Sequence, residues 1–149
     1  MIKISTGLAD AMMGNVGATA ALNAASMELR IFSGPEPLTA DAALANEVLL
    51  VKIEVQGGSG GMRFTNTSGG VITKDIDQSW LGNVLNTGVP TYYRLCPKTD
   101  DNSASTSKVR VQGSVGATGD LKLGTTTLAA GNPQSVDFYQ LRLPQYLGA

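Results

Sequence analysis

The sequence predicts an all-β protein. The expected fold is an antiparallel β-sandwich of about eight strands, with the jelly roll as one form it can take, preceded by a short helical N-terminal arm. Three observations carry this reading. Apolar and polar residues alternate in short runs from Met27 onward. Clusters of Gly, Asn, Asp, Ser and Pro separate those runs, and helical spacing is confined to a few short stretches. At 149 residues the chain is the size of one ordinary domain, long enough to bury a core without staples.

Residues 1–25 read differently from the rest and form the arm. Met1-Ile2-Lys3-Ile4-Ser5-Thr6 is a short extended start. Thr6 can cap a helix containing Leu8, Ala11, Met12 and Met13, with Asp10 expected in its first turn, where the helix dipole favours negative charge. Gly14 and Gly17 break that helix, and residues 18–25 can form a second short helical turn. Such a small-residue segment can pack on its own domain or lie across a neighbouring subunit. Residues 26–149 form the sandwich domain, and no linker in them is long enough to separate two domains.

In Met27-Glu28-Leu29-Arg30-Ile31 the odd positions are apolar and the even ones charged. Residues 35–44 hold two prolines, then Thr39 as a cap, then good helix formers, which predicts a turn or two of helix linking two strands. Leu49, Val51, Ile53 and Val55 alternate with Leu50, Lys52 and Glu54. Met62 and Phe64 flank Arg63, Val109 and Val111 flank Arg110, and Leu121 and Leu123 flank Lys122. Each run is expected to put one face in a core and the other in water. Residues 77–83, with Ser79, Trp80 and Leu81, fit a strand or a loop. Val136 and Phe138 share one parity, Leu141 and Leu143 the other. A bulge near Tyr139 and Gln140 returns both pairs to the core; the alternative is a strand that passes from one sheet to the other.

Composition narrows the chemistry. The net charge of −1 supplies no basic field for a phosphate backbone, so no nucleic-acid partner is expected. There is no histidine, which removes the commonest general base and zinc ligand, and a single cysteine, Cys96, allows no intrachain disulfide. No apolar run approaches the ~20 residues of a membrane helix, so no membrane partner is expected either. The N-terminus shows no basic region followed by a long apolar stretch, so no secretion signal is expected.

The individual motifs are weak as chemistry. Gly57-Gly58-Ser59-Gly60-Gly61 leads into an apparent strand, Met62-Arg63-Phe64, with no Lys following, so it reads as a flexible hairpin loop whose tip can touch a partner. Asp75 with Asp77, and Asp100 with Asp101, offer oxygen ligands for calcium but lack EF-hand spacing; with Asp120 they read as solvated turns rich in Asx side chains. A glycosidase needs two facing carboxylates, which nothing here indicates. Cys96 lacks a histidine base and reads as a structural thiol. Asn66-Thr67-Ser68 matches a glycosylation sequon, which matters only in a secreted eukaryotic protein. The aromatic residues are too few for a base-stacking platform, and Trp80 and Pro144-Gln145-Tyr146-Leu147 are candidate anchors of a protein–protein contact. No catalytic, cofactor-binding or metal residue is assigned.

A larger pattern runs through the chain. Ser5-Thr6-Gly7-Leu8 is followed by Ile31-Phe32-Ser33-Gly34-Pro35-Glu36-Pro37, Ala40-Asp41-Ala42-Ala43 and Leu49-Leu50-Val51. Then come Gly88-Val89-Pro90-Thr91-Tyr92-Tyr93-Arg94-Leu95, Val111-Gln112-Gly113-Ser114-Val115-Gly116 and Gly119-Asp120-Leu121. This order resembles a family of small virion proteins of tailed bacteriophages. Pro90 departs from the Ala or Gly of that pattern and marks an edge or strand start. The resemblance implies a non-enzymatic structural role, foremost a decoration (cement) protein on the capsid exterior that binds the major capsid protein and itself, as a dimer or trimer. A tail-associated or head–tail junction structural or adhesion protein is the alternative, and a hydrolase using Asp75 or Asp101 is the reading from another class. Because a buried unpaired charge costs several kcal/mol, Val51→Asp or Ile53→Asp is expected to abolish the cooperative thermal transition followed by circular dichroism.

Overall fold

The computed structural model describes residues 1–57 and 60–142. The elements in order are β1 (Lys3–Ile4), α1 (Thr6–Met13), α2 (Ala18–Ala24), β2 (Met27–Ser33), β3 (Val48–Val55), β4 (Phe64–Thr67) and β5 (Val71–Lys74), then β6 (Trp80–Asn83), β7 (Tyr92–Pro97), β8 (Val111–Ser114), β9 (Pro133–Ser135) and β10 (Gln140–Arg142). Seven strands form one sheet in the order β1-β8-β7-β2-β3-β6-β9, and three form a second in the order β10-β5-β4. Every paired strand is antiparallel. The protein is all-β, with its two sheets in a sandwich-like arrangement. β1 and β9, of two and three residues, are too short to show alternation in a sequence.

The N-terminal segment folds back onto the body of its own chain. The α1 cap is Ser5, one residue before the expected Thr6, and its Oγ accepts from the Leu8 N–H at 3.1 Å. That same oxygen donates to the Lys108 carbonyl and accepts from the Arg110 N–H, both at 2.8 Å, so the cap also holds the start of β8. Thr6 instead bonds Asp41 through its N–H at 2.9 Å. A side chain on Gly7 would overlap the backbone of Ser107 and Lys108, so only glycine lets α1 sit this close. Leu8, Ala21 and Leu22 then join the hydrophobic core.

Four local expectations are corrected. Glu28 and Arg30 do not face water: each is 3% exposed, because β2 is central and covered on both faces. Residues 39–44 make only a turn, not a helix, because the carbonyls of Ala40 and Ala42 serve as acceptors for Arg110 and Arg94. The glycine-rich stretch is not a hairpin: it carries the chain from β3 in the large sheet to β4 in the small one. Phe138 is 70% exposed rather than buried. The parity change near it arises because β9 and β10 belong to different sheets, the second alternative above. Val136, Tyr139 and Leu141 face the core; Leu143 lies outside the described residues.

Residues 77–83 resolve into a loop followed by β6. Gly82 in that strand passes so close to β3 that a Cβ would overlap the Lys52 carbonyl oxygen. β3 is bulged: Ile31 pairs with Val51 but Phe32 with Leu49, so Leu50 is the extra residue, and both Leu50 and Val51 reach the core. An aromatic cluster ties the two sheets. Phe64 packs edge-on against Trp80 and Tyr139, with centroids 5.5 and 6.1 Å apart, and Tyr139 meets Tyr93 at 90°. The two tyrosine hydroxyls bond at 3.1 Å, satisfying each other away from water.

Leu8→Ala should lower stability by about 2–5 kcal/mol in urea denaturation, because it opens a cavity in the shared core. Phe138→Ser should change it by no more than about 0.5 kcal/mol, because that side chain is already in water.

Candidate functional site

The acidic residues singled out in the sequence do not converge. Asp75 accepts from the Asp77 N–H at 2.9 Å and pairs with Arg63 at 3.2 Å, while Asp77 itself is exposed. Asp101 accepts from the Ser103 N–H and hydroxyl at 3.1 and 2.7 Å and pairs with Lys108 at 2.5 Å. Asp120 accepts from the Ser114 N–H and hydroxyl at 3.0 and 2.9 Å and pairs with the Met1 amine at 2.9 Å. Among the described residues no group of three His, Cys, Asp or Glu side chains is placed to hold a metal ion. Pro144 to Leu147, read as a contact segment, lie outside the described residues.

Asp100 is the exception to the solvated-turn reading. It does make an Asx turn, accepting from the Asn102 N–H at 2.7 Å, but it is buried. Its carboxylate takes a bidentate pair from Arg110, Nε to Oδ2 at 2.6 Å and Nη2 to Oδ1 at 2.8 Å. Burial opposes its ionisation, yet the bonds from Arg110 and the Asn102 N–H outweigh that and hold its carboxyl below the usual range.

This pair belongs to a polar layer that the alternation does not reveal. On the face of the large sheet away from the aromatic cluster, Glu28 stands opposite Cys96, and Arg30, Arg94 and Gln112 form the next row. The arginines bind loops rather than solvent. Arg30 Nη1 donates to the Asp100 carbonyl at 2.8 Å and Arg30 Nε to Glu28 at 2.5 Å. Arg94 reaches Gln112 at 2.9 Å and the Ala42 carbonyl at 3.1 Å. Arg110 reaches the carbonyls of Ala40 and Ser103 at 3.2 and 2.7 Å. Burial, reinforced by the neighbouring Arg110 charge, holds Arg94 below the usual guanidinium range. Burial also pushes the Cys96 thiol up to about 12, which keeps it protonated and unreactive. The sequence signal for this layer is slight: arginines centred in apolar runs of a chain with only 15% charged residues.

The open surface lies elsewhere. Leu121 bonds the backbone of Ser114 and Gly116, at 2.9 and 3.1 Å, which brings residues 120–124 alongside the end of β8. β9 is one edge strand of the same sheet and β1 the other. Residues 120–124 and 134–140 together line a groove of about 460 Å³. Phe138 stands at its rim. A second groove, of about 650 Å³, runs between α2 and the β4–β5 hairpin, lined by small and polar residues such as Thr19, Asn23 and Asn66. Asn66, the sequon asparagine, is exposed there and bonds Thr19.

No family model, curated protein or solved structure matches this chain.

Asp100→Ala should destabilise the protein by about 3–5 kcal/mol, since it leaves Arg110 buried without its counter-charge. The depressed Asp100 carboxyl contributes stability that is complete above its ordinary value of 3.8 and is lost as pH falls below it. In urea titrations between pH 6 and about pH 2.5, Asp100→Asn should therefore show a shallower acid loss than the parent chain.

Proposed function

We propose that this chain is a structural virion protein of a tailed bacteriophage, a decoration protein that binds the outside of the capsid lattice and stabilises the head. The observation that carries this reading is how the polar and apolar side chains are deployed. Asp75, Asp100, Asp101 and Asp120 are each engaged by the chain's own donors, which makes them parts of a scaffold. Large apolar side chains meanwhile stand out into solvent: Met13 is 89% exposed, Leu38 87% and Ile76 92%. Exposed apolar groups on a packed β body are what a lattice-binding protein needs for contacts with the major capsid protein and with its own copies.

Such a protein stabilises by mass action. Binding the assembled shell and not its dissociated subunits shifts the equilibrium toward the intact head, and many modest contacts sum over the lattice. The resemblance in strand and turn order to small phage virion proteins supports the same reading.

Quantitative mass spectrometry of purified particles should find this chain at a copy number on the order of hundreds, with antibody label on the head. About a dozen copies or fewer, with label on the tail, would assign it to the tail or head–tail junction instead. Its absence from particles would remove the virion reading altogether.

A further inference from the structure

The groove of about 650 Å³ between α2 and the β4–β5 hairpin has an apolar lining with polar groups at its hairpin end. Val71 and Ile72 of β5, each 6% exposed, line it from the sheet side. Val16, Ala18 and Ala20 line it from the helix side, with Val16 57% exposed. None of the residues that line it is charged. The groove along residues 120–124 and 134–140 differs in this respect, since Asp120, Lys122 and Asp137 belong to its lining.

Strand register decides which part of the chain comes next to the α2 groove. β10 pairs with β5 antiparallel, Gln140 with Thr73, Leu141 with Ile72 and Arg142 with Val71. Each step along β10 therefore moves one residue closer to the turn at 68–70 that joins β4 and β5. Arg142 stands opposite Val71, and the next position in register falls opposite Gly70, which also lines the groove. The chain thus leaves its last described strand at the mouth of this groove, heading away from the other one, which Gln140 lines. Seven residues follow, Leu143-Pro144-Gln145-Tyr146-Leu147-Gly148-Ala149. At ~3.3 Å each they reach about 23 Å. The seven residues of α2, at ~1.5 Å each, extend about 10 Å, so the segment is long enough to run the length of the helix. Its side chains match the lining: Leu143, Tyr146 and Leu147 are large and apolar, and none of the seven is charged.

We propose that residues 143–149 dock in the groove between α2 and the β4–β5 hairpin of their own molecule, with Tyr146 and Leu147 set against Ala18, Ala20 and Val71. Burial of apolar surface on both sides supplies the driving force, and no ion is desolvated in making the contact. The tether at Arg142 keeps the entropic cost of closure small, because the loop to be closed is only a few residues long. Pro144 to Leu147, which the sequence offers as an anchor for another protein, then serve the chain's own body and link the N-terminal helices to the small sheet. The inference holds or fails independently of the particle to which the chain belongs.

The test is NMR on the full chain. Nuclear Overhauser contacts are expected from the Tyr146 ring and Leu147 methyls to the methyls of Ala18, Ala20 and Val71, with amide order parameters at Tyr146 and Leu147 above about 0.6. Ala20→Glu places a charge at an exposed position of the groove wall. It should remove those contacts and lower the two order parameters while leaving the amide shifts of β7 and β8 unchanged. Ala18→Glu, at the first position of α2, serves the same purpose if the first variant folds poorly. A sample mixing isotope-labelled and unlabelled chains separates contacts within one molecule from contacts between two. Absence of the contacts, or order parameters below about 0.6, would overturn the proposal. Contacts that arise only between molecules would overturn it as well, because the groove would then hold the segment of a second copy. So would contacts from Tyr146 and Leu147 to residues 120–124 in place of α2.

Discussion

A buried guanidinium needs acceptors for its N–H donors, and in this protein Arg30 and Arg110 find most of theirs on loops distant in sequence, while Arg94 bonds Gln112 on the neighbouring strand and one loop carbonyl and leaves its Nη1 without a partner. Arg30 and Arg94 stand on the adjacent strands β2 and β7 and Arg110 just before β8, and loop partners of all three lie in residues 34–47 and 98–108. Those loops contain no helix or strand, so little in their own backbone would hold them. Their carbonyls are ordered because the arginines require them, and the arginines are tolerated inside because the carbonyls and the carboxylates of Asp100 and Glu28 are there. Each half of that arrangement is costly without the other, which makes the layer cooperative with folding of the whole body.

The same constraint reaches the N-terminus. Ser5 caps α1 and, with the same hydroxyl, fixes the backbone at Lys108 and Arg110, next to the arginine that anchors Asp100. Asp41, in the loop that supplies acceptors to Arg110, bonds Thr6 at the start of α1. Helix start, loop and strand are therefore held by one network, and Leu8 and Leu22 extend it into the apolar core. With both faces of the central strands occupied, the open surface of the described residues includes the grooves at residues 120–124 with 134–140 and between α2 and the β4–β5 hairpin. A body whose acidic groups are held by its own donors and whose apolar side chains stand out at scattered tips is suited to recognition by contact.

The all-β class was legible because period-two alternation is a local property: Val51 and Ile53, Met62 and Phe64, and Leu121 and Leu123 are buried as their spacing indicates. The two short helices were legible from small residues bounded by glycine, though the cap fell on Ser5, whose hydroxyl could serve β8 as well. Alternation could not tell that the second face of β2 is also covered, because the cover comes from loops whose shape depends on Arg94 and Arg110. It gave Glu28, Arg30 and Arg110 to solvent for that reason. The groove between residues 120–124 and 134–140 was equally out of reach, since no local pattern shows which segments come to line it.

Composition and spacing by themselves therefore determined the all-β class and the longer strands such as β2 and β3, since burial of alternate side chains is written into consecutive residues, though β1 and β9 were too short to show it and the alternating Leu121-Lys122-Leu123 forms no strand. Tertiary structure alone decided which sheet each strand joins, where the chain changes sheet around Phe138, and which charged residues go inside. Those outcomes depend on partners tens of residues away, as Asp41 is from Thr6 and Ala42 from Arg94. No local pattern encodes a hydrogen bond whose acceptor is created only by folding.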